Sequence, residues 1–247
     1  MTSLAIWLGT LILFMPTPRG SVVSADSRYD GGDPEHRDQA RKIFLCGRAA
    51  VCAVSGGLRL EASNEEGAGT LDIAALLEET SARMRAGDDQ SPEALLETVR
   101  ASLHKGIGEF WSRYLDGRRV AAPMSVRLGA PSVCTILLVT PGRVAQIQFP
   151  LLERRLADGT WSHELREPAV RFADPARPLA QGHVACLPQM IGEIDALYGQ
   201  TQEVEFCRDV IGGPIDIAVI EEGQARWLRN KLSPPEKVDQ PLPLTVH

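Results

Sequence analysis

Residues 10–27 read TLILFMPTPRGSVVSADS and give the first indication of how this chain folds. Two runs of apolar and β-branched residues, 11–14 and 21–25, flank the segment PTPRG, whose two prolines and glycine are typical of a hairpin turn. A second pair of short apolar runs follows at 43–45 and 49–54, on either side of a glycine. The sequence therefore predicts four strands before any helix.

Four residues with distinct chemistry stand at the ends of these predicted strands. Thr10 precedes the first strand, Asp26 follows the second, Lys42 precedes the third and Gly56 follows the fourth. Each has an ordinary structural interpretation by itself: a buried strand threonine, a turn aspartate, a solvated strand edge and a turn glycine. Their joint spacing favours a shared site.

In context and spacing, these four residues resemble the proteasome β-subunit family of N-terminal nucleophile hydrolases. The match runs without a gap through about the first 57 residues, and a looser one covers RDVIGGPIDIAVIEEGQARWL at residues 208–228. The resemblance implies that Thr10 is the nucleophile, Asp26 a buried acid and Lys42 the catalytic lysine. It also implies that the N–H of Gly56 faces the oxyanion, and that the fold is a four-layer αββα sandwich.

Two further positions carry over from the family on less specific motifs. Ser132 in PSVCTILL matches a serine that the family places near the nucleophile, where its hydroxyl would relay a proton to the N-terminal amine. Asp174 in FADPARPLAQG is the aspartate expected to support this serine. Asp158 aligns almost as well, so the two aspartates stay alternatives.

The proposed nucleophile explains why these residue types are needed. A threonine hydroxyl requires a base, and the α-amine of the same residue can serve, since its pKa is about 7.7 to 8.0 in peptides. We therefore expect self-cleavage before Thr10, because Gly9 has no side chain to hinder attack on its carbonyl. Lys42 would stabilise the alkoxide, and Asp26 would hold that lysine in its charged form. Thr2 is the other candidate nucleophile, but it lies too far from Asp26 for the hairpin geometry.

Beyond the first strands the hydrophobic pattern changes to a helical period. Apolar residues recur at helical spacing from residue 73 to 84, and Ser91 with Pro92 indicates the start of a second helix. Later elements are predicted as strands at 134–139, 144–149 and 215–220, with a helix at 188–210. Runs of strands alternating with pairs of helices predict an α+β fold, with two antiparallel sheets sandwiched between helical layers.

A chain of 247 residues with 44% apolar composition is long enough for one layered domain. We place that domain at residues 10–232, after a propeptide or N-terminal extension at 1–9. Residues 233–247 contain four prolines and no periodicity, so we expect an extended tail. Residues 58–70, LRLEASNEEGAGT, are predicted as an acidic flexible loop near the mouth of the site, because family members begin a helix soon after the glycine.

Composition argues against several classes of function. A net charge of −6 and a pI near 5.5 argue against a nucleic-acid partner, which requires a basic patch. The five cysteines are an odd number in apolar settings, which fits buried side chains better than a disulfide framework. No CxxC or His/Cys spacing typical of a metal site occurs, and the chemistry implied above needs no metal or organic cofactor. We therefore expect none.

The apolar run at residues 4–15 bears on the location of the protein. It is too short to span a bilayer as a helix, so we expect no stable membrane insertion and a cytoplasmic location. The alternative is a signal peptide ending at VSA, with cleavage after Ala25, which would leave an exported binding domain. Against it, the first three residues carry no positive side chain, and cleavage would remove a strand whose partner begins at Ser21.

The sequence thus predicts a proteasome-like threonine-type peptidase or amidohydrolase that cuts a peptide or other amide substrate through an acyl-enzyme. Members of the family assemble into rings, so a homo-oligomer is expected. The other alternative is a catalytically inactive assembly or binding subunit with the same fold. Presence of Thr10, Asp26 and Lys42 together argues against it, because a scaffold has no need for a buried lysine and acid.

Overall fold

The computed structural model describes residues 3–9, 11–28, 38–65, 67–86, 91–121, 132–182 and 212–230, with only the backbone at 3–9. Within these ranges the chain forms thirteen strands and two helices. In chain order they are β1 Ser3–Gly9, β2 Leu11–Thr17, β3 Gly20–Ala25, β4 Ile43–Leu45, β5 Val51–Asn64, β6 Gly67–Asp72, α1 Ile73–Ala86, α2 Pro92–Tyr114, β7 Ser132–Thr140, β8 Arg143–Arg155, β9 Trp161–Leu165, β10 Ala169–Ala173, β11 Leu179–Gly182, β12 Asp216–Glu221 and β13 Gln224–Arg229.

The strands form two antiparallel sheets. The first sheet has eight strands around the path β1-β5-β7-β8-β10, with β4 and β6 paired to β5 and β9 paired to β8. The second has five strands in the order β11-β2-β3-β12-β13. Strand β5 is the centre of the first sheet, since four other strands pair with it along its length.

Two apolar cores follow from the side-chain alternation of the strands. On β7, Ile136 and Leu138 pack with α1 and α2, whereas Leu137 and Val139 pack against the second sheet. The first core therefore lies between the eight-stranded sheet and the helices. The second core lies between the two sheets and includes Phe14 and Ile220.

The coarse fold prediction is confirmed: the chain is mixed α/β, with two antiparallel sheets and helices packed on one of them. The two predicted early hairpins and both early helices are present. Ser91 caps α2 as predicted, because its side chain accepts a hydrogen bond from the Ala94 N–H at 3.2 Å. The predicted helix at 188–210 and the tail at 233–247 lie outside the described residues, and the domain boundaries stay predictions.

Two expectations about the early chain were wrong. Six strands precede the first helix instead of four, because β1 forms within the apolar N-terminal run and β6 follows β5. Residues 58–70 do not form a loop: β5 continues to Asn64, and β6 pairs with it in a hairpin. Leu58, Leu60 and Ala62 are buried on one face of this hairpin, so the alternation of a half-buried strand was present in the sequence.

Candidate functional site

Asp26, the predicted buried acid, lies directly after β3 with its side chain buried. Its Oδ1 accepts a hydrogen bond from the N–H of Leu11, at the start of β2, at 3.1 Å. Its Oδ2 accepts two more, from the N–H groups of Arg28 and Gly212, both at 3.2 Å. Three main-chain donors therefore compensate the desolvation of this carboxylate.

Lys42 is fully buried and forms an ion pair with Asp26. Its Nζ lies 3.0 Å from Asp26 Oδ1 and also donates to the carbonyl of Arg28. The main chain of Lys42 is fixed as well, because its carbonyl accepts the N–H of Val54 on β5 at 2.9 Å. These bonds hold the Lys42 Nζ atom at a fixed position beside the Asp26 carboxylate.

Gly56 lies where β5 has neighbours on both sides. It is opposite Gly9 of β1 on one side and opposite Cys134 of β7 on the other. Its φ angle is +89°, which favours glycine, and a Cβ atom there would lie 3.1 Å from Cys134 Cα and 3.3 Å from the Val133 carbonyl. Both the backbone angle and the lack of space explain why this position carries no side chain.

Thr10, the predicted nucleophile, lies outside the described residues, as does Thr2. The two neighbours of Thr10 are described. Gly9 ends β1 in the first sheet, opposite Gly56, and Leu11 begins β2 in the second sheet, hydrogen-bonded to Asp26. Gly9 and Leu11 therefore belong to different sheets, and Gly56 and Asp26 contact these two residues.

Ser132 is at the same end of the sheets, but Asp174 is not. Ser132 begins β7, two residues before Cys134, and is opposite Pro150 on β8. Asp174 follows Ala173, which is opposite Val144. Because Val144 and Pro150 are six residues apart on one strand, they are separated by roughly 20 Å.

The expected support of Ser132 by Asp174 is therefore wrong. Asp174 is exposed in a turn, where its carboxylate accepts the N–H of Ala176 at 2.9 Å and pairs with Arg177 at 3.4 Å. The alternative, Asp158, is bound in the β8–β9 turn to Arg119 and to the Thr160 hydroxyl. Both aspartates serve local turns, which is a common role for this residue type.

Sequence reasoning missed the part played by Gly212 and Arg28. The main chain of Gly212 donates to Asp26 and accepts the N–H groups of Ser27, at 3.0 Å, and Arg28, at 2.9 Å. The guanidinium of Arg28 forms a two-bond ion pair with Asp38, at 2.6 and 2.8 Å. The segment IGGP at residues 211–214 was the available signal for Gly212.

A buried polar network next to Gly56 was also missed. Gln181 on β11 donates through Nε2 to Ser55 Oγ at 2.7 Å and to the Thr135 carbonyl at 3.1 Å. Its Oε1 accepts a hydrogen bond from Gln146 at 3.0 Å. Because Gln181 belongs to the second sheet and the other three residues to the first, these bonds fix the spacing of the sheets beside the candidate site.

The cysteine nearest to this site is not a candidate nucleophile. Cys134 is opposite Gly56, and complete burial raises the pKa of its thiol well above the usual value. Burial also raises the pKa of Cys52, with the neighbouring Cys46 adding to the shift. Thiols that stay protonated are poor nucleophiles, so these two cysteines are not candidates for that role.

In the part of the chain that the structure describes, no group of three His, Cys, Asp or Glu side chains is placed to hold a metal ion. No described helix has the length and apolar content needed to cross a membrane. No protein-family model and no curated protein matches this chain.

Proposed function

We propose that this chain is a proteasome-like threonine-type amidohydrolase that activates itself by cleaving the bond between Gly9 and Thr10. The observation that carries the proposal is the buried Lys42–Asp26 pair, whose carboxylate also binds the N–H of Leu11. Gly56 faces Gly9 on the other side of the same short segment. A charged pair buried at this cost, beside one short segment, is expected where charge develops during a reaction.

Self-cleavage would proceed in two chemical steps. The Thr10 hydroxyl loses its proton and attacks the Gly9 carbonyl, and the amide bond breaks as the Thr10 nitrogen takes up a proton, which leaves an ester. Water then hydrolyses the ester, so that Gly9 leaves as a carboxylic acid and Thr10 gains a free amine. Lys42 stabilises the negative charge on the attacking oxygen, and the N–H of Gly56 the charge on the carbonyl oxygen.

Turnover of a substrate would use the amine released in that process. It accepts the proton of the Thr10 hydroxyl as this attacks an amide carbonyl, and it returns the proton to the departing amine. The acyl-enzyme ester is then cleaved by water, with the same amine as base. No metal or organic cofactor enters these steps.

Intact-mass measurement of the purified protein tests the proposal directly. We expect the wild-type chain to begin at Thr10 and a Thr10→Ala variant to retain everything before it. Thr17→Ala is the matched control, because Thr17 lies at the far end of β2, the strand that begins at Leu11. This variant should be processed normally. Folded wild-type protein that retains Met1 or Thr2 would overturn the proposal, and a new end at residue 10 in both proteins would identify an outside protease.

Labelling with an electrophile tests the reactivity of residue 10 after processing. An epoxyketone or vinyl-sulfone peptide should modify processed wild-type protein once, at residue 10 by peptide mapping, and should not modify Lys42→Met. Hydrolysis of a fluorogenic peptide amide should be lost in the same variant. Circular dichroism must first establish that the variant is folded, because the ion pair also contributes to stability.

A full αββα sandwich and a ring-like homo-oligomer belong to the same proposal. One helical layer and the two sheets support the sandwich, and the second helical layer is expected from residues 188–210. Light scattering tests the assembly: a multiple of the monomer mass supports a ring, and the monomer mass argues against that part alone. A cytoplasmic location stays a prediction, as does the lack of a nucleic-acid partner.

One observation favours a second candidate, a non-catalytic assembly or binding subunit. Strand β1 pairs with β5 at seven register positions, as a permanent structural strand does. Retention of β1 in the mature protein, found by intact mass, would support this candidate. The exported alternative is less favoured, because cleavage after Ala25 would remove β2 and β3, which supply buried residues such as Phe14 and Val23.

A further inference from the structure

Gln181 is a buried polar residue of the second sheet, with 7% of its surface exposed. It lies on β11, directly opposite Ile12 of β2, and the next residue, Gly182, is opposite Leu11. Ile12 packs between the two sheets, and opposite residues of an antiparallel pair share a face. The Gln181 side chain therefore points between the sheets from a strand paired to the first residues after position 10.

The amide group of Gln181 contacts the first sheet next to Gly56. Its Nε2 donates to Ser55 Oγ at 2.7 Å and to the Thr135 carbonyl at 3.1 Å. Ser55 immediately precedes Gly56 on β5, and Thr135 is opposite Ser55 on β7. One side chain thus joins the strand that follows residue 10 to the two strands that hold the glycine proposed to bind the oxyanion.

The orientation of this amide group is fixed by its partners. A carbonyl oxygen can only accept a hydrogen bond, so the NH₂ group of Gln181 must face Thr135. The Oε1 atom then faces the opposite way, where it accepts a hydrogen bond from Gln146 Nε2 at 3.0 Å. Amide and hydroxyl groups carry no charge that depends on pH in the physiological range, so this contact is the same in acid and in base.

The spacing of the two sheets matters for the proposed chemistry. Residue 10 lies between Gly9 of the first sheet and Leu11 of the second, whereas Gly56 belongs to the first. An oxyanion donor acts only within about 2.7–3.1 Å of the charged oxygen, so a small shift between the sheets would misplace it. The Lys42–Asp26 pair joins the sheets where β3 ends and β4 begins. Gln181 joins them from β11, on the other side of β2.

We infer that Gln181 is a positioning residue, which holds the N–H of Gly56 at the distance from residue 10 that stabilises the oxyanion. The inference rests on the proposed function. Gln181 acts through Ser55 and Thr135, and it lowers the barrier of the chemical step without contributing to substrate binding. Its loss should therefore reduce kcat and leave KM nearly unchanged, because the affected interaction forms only in the transition state.

The variant Gln181→Leu tests this in the full-length protein, since leucine has a similar size and forms no hydrogen bond. We expect kcat for a fluorogenic peptide amide, per molecule that begins at Thr10 by intact mass, to fall about tenfold or more. KM should stay within about twofold, and the pH profile of kcat should keep its shape. Unchanged kcat in Gln181→Leu beside an active wild type would overturn the inference and leave the proposed function intact.

A control variant separates this effect from a general loss of stability. Leu103 on α2 is fully buried in the core between the first sheet and the helices. Leu103→Ala should lower the thermal midpoint through a cavity, with kcat unchanged at temperatures where the variant is folded. An equal fall of kcat in Leu103→Ala and Gln181→Leu would contradict a specific role for Gln181.

Two inhibitors of one peptide sequence report on the oxyanion position itself. A peptide aldehyde adds to the Thr10 hydroxyl: an oxygen–carbon bond forms, and the hydroxyl proton moves to the former carbonyl oxygen, which occupies the oxyanion position. The corresponding peptide alcohol binds without reacting. Gln181→Leu should weaken inhibition by the aldehyde about tenfold and leave inhibition by the alcohol unchanged. Equal weakening of both inhibitors would place the effect in substrate binding and overturn the inference.

A double variant tests the route through Ser55. If Gln181 acts through this hydroxyl, Gln181→Leu combined with Ser55→Ala should reduce kcat by less than the product of the two single losses. Losses that multiply would contradict this route. Failure of the proposed function gives a different result, because the wild-type chain would then keep its N-terminal residues and form no adduct with the aldehyde at residue 10.

Discussion

The two ends of the sandwich are built from the same strands but hold different chemistry. At one end, where β2 begins and β3 ends, the buried pair of Lys42 and Asp26 lies among main-chain donors. At the other end, roughly 20 Å away along β2, the hairpin turns surround a cleft of about 620 Å³. Its wall is mostly apolar and includes Phe14, Val144 and Ile220.

In this molecule the apolar cleft and the buried charged pair are therefore separate features. The cleft end satisfies the usual criterion of a concave apolar pocket, yet its charged side chains, Arg19 and Glu222, form no ion pair with any described residue. The opposite end, called the closed end below, holds the buried and hydrogen-bonded pair of Lys42 and Asp26. Burying charge costs free energy, so such a pair is expected where it serves structure or function. Substitutions at the two ends can measure that contrast.

Breaking the buried ion pair should have the largest effect on stability. Lys42→Met leaves the Asp26 carboxylate buried without its cation, and we expect a loss of about 3–5 kcal/mol in the free energy of unfolding. The matched change at the cleft end, Arg19→Met, should stay within about 0.5 kcal/mol because Arg19 is exposed. Denaturant titrations of both variants provide the comparison.

A double variant tests the electrostatic explanation. Replacing Asp26 by Leu together with Lys42→Met removes both charges, so the combined loss should be smaller than the sum of the two single losses. Additive losses would show that the two groups do not interact. A cost below about 1 kcal/mol for Lys42→Met would mean that the pair behaves as a solvated one.

Alanine substitutions of glycines at the two ends should have the next largest effects on stability. A Cβ atom at Gly20 would lie 1.8 Å from the Ile220 carbonyl, so Gly20→Ala must push β12 away from β3, at a cost of about 3 kcal/mol. Gly56→Ala must tolerate its φ of +89° and a close contact with Cys134, at about 2 kcal/mol. Thermal unfolding can measure both.

Gly108 on α2 is the control for these substitutions. It has no atom within 4 Å of an added Cβ, and Gly108→Ala should stabilise the helix by about 1 kcal/mol. If Gly20→Ala and Gly108→Ala had the same effect, the close approach of β3 to β12 would be wrong. Processing at residue 10 should be slowed by Gly56→Ala and unchanged in Gly108→Ala.

Local patterns in the sequence were sufficient for most of the fold. The segment PTPRG predicted the β2–β3 hairpin, and Ser91 with Pro92 predicted the start of α2. Strand β6 was missed because its sequence, GAGTLD, contains two glycines and little β propensity. It forms because pairing with β5 in a hairpin supplies the backbone hydrogen bonds that its own sequence does not predict.

The candidate site was predictable where the residue type and its position at a strand end indicated the same role. Asp26 and Lys42 are bonded as expected, since each stands at the end of a short strand in a regular series. Asp174 was wrong because an aspartate before proline and alanine is as typical of a turn as of a site. Gln181 and Gly212 were missed because their contacts join segments far apart in the chain.

A second buried pair, His163 and Glu153, should make the stability of the protein depend on pH. His163 on β9 lies opposite Glu153, with its Nε2 2.9 Å from the carboxylate. Burial lowers the pKa of His163, and the nearby Glu153 opposes that shift only in part. Unfolded chains take up a proton at this residue near pH 6.5, before the folded protein does, so stability should fall as the pH drops through that value.

Denaturant unfolding at pH 7.5 and 5.5 checks this effect. The wild type should lose more stability on acidification than His163→Gln, whose side chain can still bond to Glu153 but does not titrate. An identical loss in both proteins would assign the pH dependence to other groups.

A small stabilising effect is expected from a substitution of Thr140, at the cleft end of β7. This side chain is buried, 4% exposed, and its Oγ1 has no hydrogen-bond partner among the described atoms. Valine has nearly the same shape without the hydroxyl, so Thr140→Val should stabilise the protein by about 1 kcal/mol. Thr80 is the control: it is equally buried, but its hydroxyl accepts a bond from Arg83 at 3.4 Å, so Thr80→Val should destabilise. If Thr140→Val destabilises as well, water from the cleft must reach this hydroxyl, and the cleft end would then resemble the closed end in satisfying its buried polar groups.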